Sequence, residues 1–266
     1  MSTFRLLLAL AAATSAPPLP DGRDTPTVLT VFAAASLTDA FEELAALYRR
    51  RHAGAEVRFN FAGSQQLAAQ LEHGAAADVF ASADQRWMAR VQQLGLTRDR
   101  PVVFAHNRLV VVLPRANPGR IERLQDLARA DIKLVLAAEA VPAGWYSREM
   151  LGRLARRPDA APDYDERTLA NVVSEEENVK GVVAKVQLGE ADAGVVYRSD
   201  VTRDIAGRLQ VLDIPDDVNV IASYPIAALA GSRHPQAARA FIELVRDHEA
   251  RAILTKHGLM PPPAAP

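Results

Sequence analysis

Two serines and a tyrosine stand where strand-like runs end and helical patterns begin. Ser36 follows Ala33-Ala34-Ala35, Ser64 follows Ala62-Gly63, and Tyr197 closes the run Gly194-Val195-Val196. Two further turns have the same form: Val141-Pro142-Ala143-Gly144, with a proline suited to a first helical turn, and Asn178-Val179-Lys180. A strand that hands over to a helix through small residues leaves space before free backbone N–H groups, which is an anion site in outline. No lysine or arginine lies within the serine, Ala-Gly and tyrosine elements, although Lys180 and Arg198 adjoin two of them. The chemistry on offer is recognition of a fully ionised oxyanion by neutral donors: two hydroxyls, a phenol and helix-terminal amides. A hydrogen bond to a charged group contributes about 1.5–3 kcal/mol and a helix terminus about 0.3–1 kcal/mol. Desolvating a dianion costs more than any one of these, so the donors must converge. A donor-only shell also disfavours an anion that keeps a proton, because its O–H finds no acceptor. Taken singly, Ser36 reads as an ordinary N-cap, with Asp39 three residues on as a variant capping box.

Other chemistries are poorly supplied. Cysteine is absent, which excludes thiol catalysis, thiolate-bound zinc and disulfides. The six histidines are scattered without zinc spacing. Neither serine sits in a Gly-x-Ser-x-Gly elbow, and no general base is evident among the motifs, so an enzyme is not expected. Basic and acidic residues number 31 and 32 and are spread along the chain, with no basic stripe for nucleic acid. Glu175-Glu176-Glu177 is the odd feature beside an anion site. It reads as acidic residues at a helix start, capped by either Ser174 or Asn178; carboxylates turned inward would oppose the anion or reach a metal. Trp87 and Trp145 read as helix-face packing.

The elements that must hold these turns alternate. Strands are expected at Val28–Ala34, Glu56–Phe61 and Asp78–Ala81, each followed by a helix, over Leu37–Arg51, Gln65–His73 and Asp84–Leu94. Strands Pro101–Ala105 and Leu109–Leu113 come next. From Pro114 the pattern restarts: a short helix at Leu124–Arg129, strand Lys133–Ala137, helix Ala143–Arg157, a polar loop Arg157–Glu166, strand Leu169–Val173 and helix Val179–Leu188. Strands Ala193–Tyr197, Leu209–Ile214 and Ile221–Leu229 precede the last two helices, Gln236–Arg246 and Glu249–Lys256. Such an order predicts two α/β lobes with largely parallel sheets; it is compatible with, but does not by itself show, a return of the last strand and helices to the first lobe, with crossings near Ala105–Val110 and Val218–Tyr224. At 266 residues and 49% hydrophobic, the chain can supply both cores. Arg5 and the apolar run Leu6–Ala13 have the form of a signal peptide.

Taken together, Ala33-Ala34-Ala35-Ser36-Leu37, Ala62-Gly63-Ser64, Asp78-Val79-Phe80-Ala81-Ser82-Ala83-Asp84, Val141-Pro142-Ala143-Gly144, Asn178-Val179-Lys180 and Gly194-Val195-Val196-Tyr197-Arg198-Ser199-Asp200 resemble the periplasmic molybdate-binding protein of ABC transporters, the ModA-like family. The resemblance runs from about Thr27 to Met260, with the motifs in the family's order. It implies an α/β, type II periplasmic binding protein fold of two lobes joined by a two-strand hinge. Residues 27–106 plus 222–266 would form lobe I and 107–221 lobe II, behind a signal peptide and linker at 1–26. It implies a monomeric periplasmic protein, without a cofactor, that captures molybdate or tungstate and delivers it to a membrane permease; sulfate or another oxyanion is the alternative. By the same resemblance Ser36 and Ser64 donate from hydroxyl and backbone, Ala143 and Val179 from backbone N–H, and Tyr197 from its phenol. The metal is met only through the oxyanion. Gly63 stands where some members carry another serine.

Overall fold

The computed structural model describes residues 27–262; the expected signal peptide and linker and the last residues of the proline tail lie outside the described residues. The apolar, β-rich run Thr27–Ala34 forms β1, an interior strand. A 3-10 turn, Ala35–Leu37, leads into α1 (Thr38–Arg51). Then come β2 (Ala55–Ala62), α2 (Ser64–Glu72), β3 (Val79–Ala81), α3 (Gln85–Gln93) and β4 (Val102–Asn107). The middle of the chain holds β5 (Leu109–Pro114), a 3-10 segment Leu124–Ala128, β6 (Leu134–Ala137), α4 (Pro142–Ala155), α5 (Tyr164–Ala170), β7 (Val172–Glu176), α6 (Val179–Gln187) and β8 (Ala193–Tyr197). A 3-10 turn at Arg198–Asp200, α7 (Arg203–Ala206) and β9 (Leu209–Asp213) complete it, before β10 (Ala222–Ala228), α8 (Pro235–Val245) and α9 (His248–Lys256).

The strands form two sheets, ordered β2-β1-β3-β10-β4 and β7-β6-β8-β5-β9. In each, one strand runs against the other four: β10 in the first and β5 in the second. These two are the strands entered when the chain crosses between sheets, at Arg108 and again between β9 and β10. The sheets are therefore parallel apart from the strands that the crossings lay down. Phe41 anchors the first core, with its ring 5.6–6.1 Å from those of Phe104, Phe241 and Phe59. In the second sheet Val110, Val111 and Val112 of β5 are fully buried on both faces, as an interior strand covered by helices requires.

One stretch departs most from the sequence expectation, besides the short helix α7, which no pattern announces. The polarity of Arg157–Glu166 predicts a loop and Leu169–Val173 a strand, yet α5 occupies Tyr164–Ala170 and the strand lies further on, at Val172–Glu176. No apolar stripe announces α5. It is pinned instead by buried Tyr164, which donates to the Leu124 carbonyl at 2.6 Å, and by Thr168, which donates back to the Tyr164 carbonyl at 2.8 Å. The shift puts Glu175 and Glu176 at a strand end rather than at a helix start.

Helix α4 starts hard against the end of β6. A Cβ added at Gly144 would sit 2.1 Å from the Ala138 carbonyl oxygen and 2.3 Å from that of Ala137, both backbone atoms. Only glycine lets this helix terminus seat here. Gly144→Ala is expected to cost about 1–3 kcal/mol, the usual overpacking range, read as a lower urea midpoint with an unchanged slope.

Candidate functional site

All five residues that the resemblance implies as donors line one small cavity. Ser36, Ser64, Ala143, Val179 and Tyr197 converge where the ends of β1, β2 and β8 face the starts of α4 and α6. The space left between them is small. Ala34, Ala35, Ala62, Gly63, Ala83 and Pro142 supply small walls, and no charged residue lines it.

Each donor is presented by a local device. Ser36 is not a helix cap: it lies inside the 3-10 turn, α1 begins two residues later, and neither terminus has a side-chain cap bond. The expected Asp39 capping box is absent, and Thr38 instead donates back to the Ala35 carbonyl at 2.8 Å. Ser36 Oγ lies 2.9 Å from the Tyr224 hydroxyl. Ser64 is the first residue of α2, after Gly63; Gln66 Oε1 accepts from the Gly63 N–H at 3.1 Å. Its Oγ accepts from the Ala83 N–H at 2.9 Å, which leaves the hydroxyl hydrogen to point elsewhere. Helix α4 opens with Pro142 and carries no side-chain cap, so nothing covers the Ala143 N–H from within its own turn. In α6 the cap is Asn178, not Ser174. Its Oδ1 accepts from the N–H groups of Lys180 (3.0 Å) and Gly181 (3.3 Å) and leaves that of Val179 untouched.

Tyr197 ends β8 fully buried, and its hydroxyl has no hydrogen-bond partner among the described residues. Burial is the largest cause pushing this phenol well above its ordinary pKa, so it stays a donor. Three residues on, Asp200 is equally buried. Its Oδ2 accepts from the Tyr197 N–H at 3.0 Å, whereas Oδ1 has no partner among the described residues. Burial raises its pKa to about 6, against the opposing pull of Lys180 and of that N–H.

The acidic run is turned away from the cavity. Glu175 pairs with Arg148, Glu176 with Lys185 at 3.0 Å, and Glu177 accepts from Gln66 Nε2 at 2.9 Å. None of the three lines the cavity, and none is in α6. The last contact belongs to a rim that joins the two sheets' helices. Gln65 Nε2 donates to the Glu177 carbonyl (2.9 Å), Lys180 Nζ to Asp39 (2.8 Å) and Trp87 Nε1 to the Ala140 carbonyl (2.9 Å). Trp145, 40% exposed, lies under the Arg86 guanidinium at 4.4 Å rather than in a helix core. A Cβ at Gly63 would stand 2.6 Å from the Glu177 carbonyl oxygen, so a bulkier residue there would part the rim. The motifs named no role for Asn107 or Tyr224, which stand behind Ser36 on the crossing segments; only the folded chain brings them there.

A two-sheet α/β chain that crosses twice between its sheets and keeps a small cavity at their seam has the architecture of a solute-binding protein. The chain belongs to the bacterial extracellular solute-binding protein family, whose profile matches residues 29–260. It is 38% identical over 234 residues to the molybdate-binding protein ModA of Mycobacterium tuberculosis, covering 88% of this chain and 85% of that one. Among solved structures it superposes on the periplasmic molybdate-binding protein of Azotobacter vinelandii (TM-score 0.76, 20% identity, 88% of this chain and 99% of that one). It superposes as well on the sulfate-binding protein SubI of M. tuberculosis (TM-score 0.78, 19% identity, 90% and 88%). At these identities the two structures share the fold, which alone does not separate their solutes.

The buried Asp200 makes a pH-dependent contribution with a definite sign. Its pKa is higher in the folded chain than in the unfolded one, so folding is penalised as pH rises from about 4 through about 6. Asp200→Asn is expected to gain stability over the wild type through that window and to keep the gain above it, on the order of 2–3 kcal/mol. Urea melts of both proteins at pH 4.5 and 7.5 check this; a pH-independent difference would contradict it.

Proposed function

We propose that this chain is a periplasmic, monomeric solute-binding protein that takes molybdate or tungstate into the cavity and hands it to the membrane permease of an ABC transporter. The observation that carries the reading is the Tyr197 hydroxyl, a buried donor without a partner among the described residues, on a side chain that lines the cavity with Ser36, Ser64, Ala143 and Val179. A buried polar group left unpaired costs about 1–3 kcal/mol, and an anion oxygen would complete it. With no charged side chain lining the cavity, the incoming oxygens would be met by hydroxyls and helix-terminal amides, and the metal would be reached only through them. The 38%-identical relative, which this chain matches over 85% of its length, is a molybdate-binding protein. A cavity whose walls carry no carboxylate, imidazole or amine has no base for a catalytic step, which supports binding without turnover.

On the same reading the two sheets are the cores of two lobes, residues 27–106 with those from 222 onward, and 107–221. The crossings at Arg108 and before β10 act as the hinge. The rim contacts Gln66–Glu177, Lys180–Asp39 and Trp87–Ala140 would then be closure contacts, made when the lobes meet over the anion.

Molybdate and tungstate are expected to raise the melting temperature by several degrees at a hundredfold excess over Kd, where binding adds about 2.7 kcal/mol. Sulfate should shift it far less. No shift with molybdate at large excess would overturn the proposal. Tyr197→Phe tests the site itself, with opposite effects on two measurements. The variant should bind molybdate more weakly by about 1–3 kcal/mol in calorimetry, while the anion-free protein keeps or gains stability because the unpaired hydroxyl is gone.

A further inference from the structure

Behind Ser36, three buried side chains meet where the chain passes between the sheets: Asn107 at the end of β4, Tyr224 in β10 and Ser199 in the turn after β8. Backbone groups set the polarity of this cluster at both ends. The Arg108 N–H, which can only donate, reaches Asn107 Oδ1 at 3.0 Å and so identifies the oxygen end of that amide. Asn107 Nδ2 therefore faces Ser199 Oγ at 2.8 Å and the Tyr224 hydroxyl at 3.3 Å, and it donates to both. Ser199 passes its own hydrogen to the Ser36 carbonyl, 3.3 Å away, which can only accept. Tyr224, having accepted from Asn107, turns its hydrogen to its other contact, Ser36 Oγ at 2.9 Å. A serine hydroxyl that accepts from inside the protein has its hydrogen left for the cavity.

We propose that Tyr224 is a positioning and specificity-determining residue: by accepting from Asn107 and donating to Ser36, it obliges Ser36 to face the solute as a donor. The relay thereby sets the site against oxyanions that carry a proton. This deepens the oxyanion reading of the same cavity and rests on it. Tyr224 is not among the residues lining the cavity, so it acts through Ser36. Its ring also packs edge-on against that of Tyr197, with centroids 5.8 Å apart, so one side chain steadies two of the donors. Burial, with Asp200 adding to it, keeps the Tyr224 phenol protonated well above its ordinary range, so the relay holds its direction at neutral pH. Ser64 is held to the same polarity by a simpler route, the Ala83 N–H.

Tyr224→Phe keeps the ring and removes one oxygen. Ser36 then loses its internal donor, and its hydroxyl is free to rotate and offer a lone pair to the cavity. Calorimetry at pH 7 with molybdate, and competition by inorganic phosphate, are expected to show two changes. Molybdate affinity falls about tenfold, the worth of one hydrogen bond, and the preference for molybdate over phosphate narrows by about as much or more. A merely structural role would weaken both ions alike, so an equal loss overturns the proposal, as does an unchanged affinity and ratio. Failure of the wild-type chain to bind molybdate would sink the functional reading instead. Asn107→Leu, which removes the upstream donor and leaves Tyr224 in place, is expected to move the same ratio in the same direction and takes the place of Tyr224→Phe if that variant does not fold.

Discussion

A phenol hydroxyl sealed away from water without a partner is a cost that folding seldom tolerates. Tyr197 carries it at the end of β8, and the rest of the site is arranged on the same principle. Ser36 and Ser64 each have their acceptor side occupied from within, by Tyr224 and by the Ala83 N–H, so their hydrogens are left over. The Asn178 cap on α6 consumes two amides and spares Val179. The start of α4 has no cap to consume anything. The constraint is a surplus of donors gathered round one small space, and a fully ionised oxyanion is the solute that balances it.

Keeping that space free of charge takes effort elsewhere. Lysine and arginine are held at the rim or beyond it, and the three consecutive glutamates are each engaged, by Arg148, Lys185 and Gln66. Neutral donors avoid the desolvation that a buried ammonium or guanidinium would bring. The arrangement also explains the small walls. Alanine and glycine let backbone amides approach, and a Cβ at Gly63 or Gly144 would collide with a carbonyl oxygen. Asp200 shows what burial near the site costs, since its carboxylate titrates near pH 6 beneath the Tyr197 backbone.

The alternation of strand and helix, the two series and the candidate donors were legible along the chain because each rests on local signals: a period of 2 or 3.6, a preferred capping residue, small residues at a turn. Local signals also misled. Ser36 has the type and place of an N-cap, yet its hydroxyl found a stronger claim 188 positions away in Tyr224. Helix α5 has no stripe to read, because only Tyr164 and Thr168 are buried, and the Leu124 carbonyl that holds Tyr164 is a tertiary partner. Misplacing it moved β7 by three residues and left the acidic run at a helix start instead of a strand end.

By itself, then, the sequence determined which residues are able to donate and where most of the helices begin, since both follow from residue type and near neighbours. It could not determine the direction of a hydroxyl. That depends on Asn107, Ser199 and Tyr224, brought to Ser36 from three distant segments. Nor could it show whether the glutamates face the cavity, which depends on Arg148 and Lys185 lying beside β7 in space. Hydrogen-bond polarity and charge pairing are properties of what stands within about 3 Å, and only the tertiary structure decides who the neighbours are.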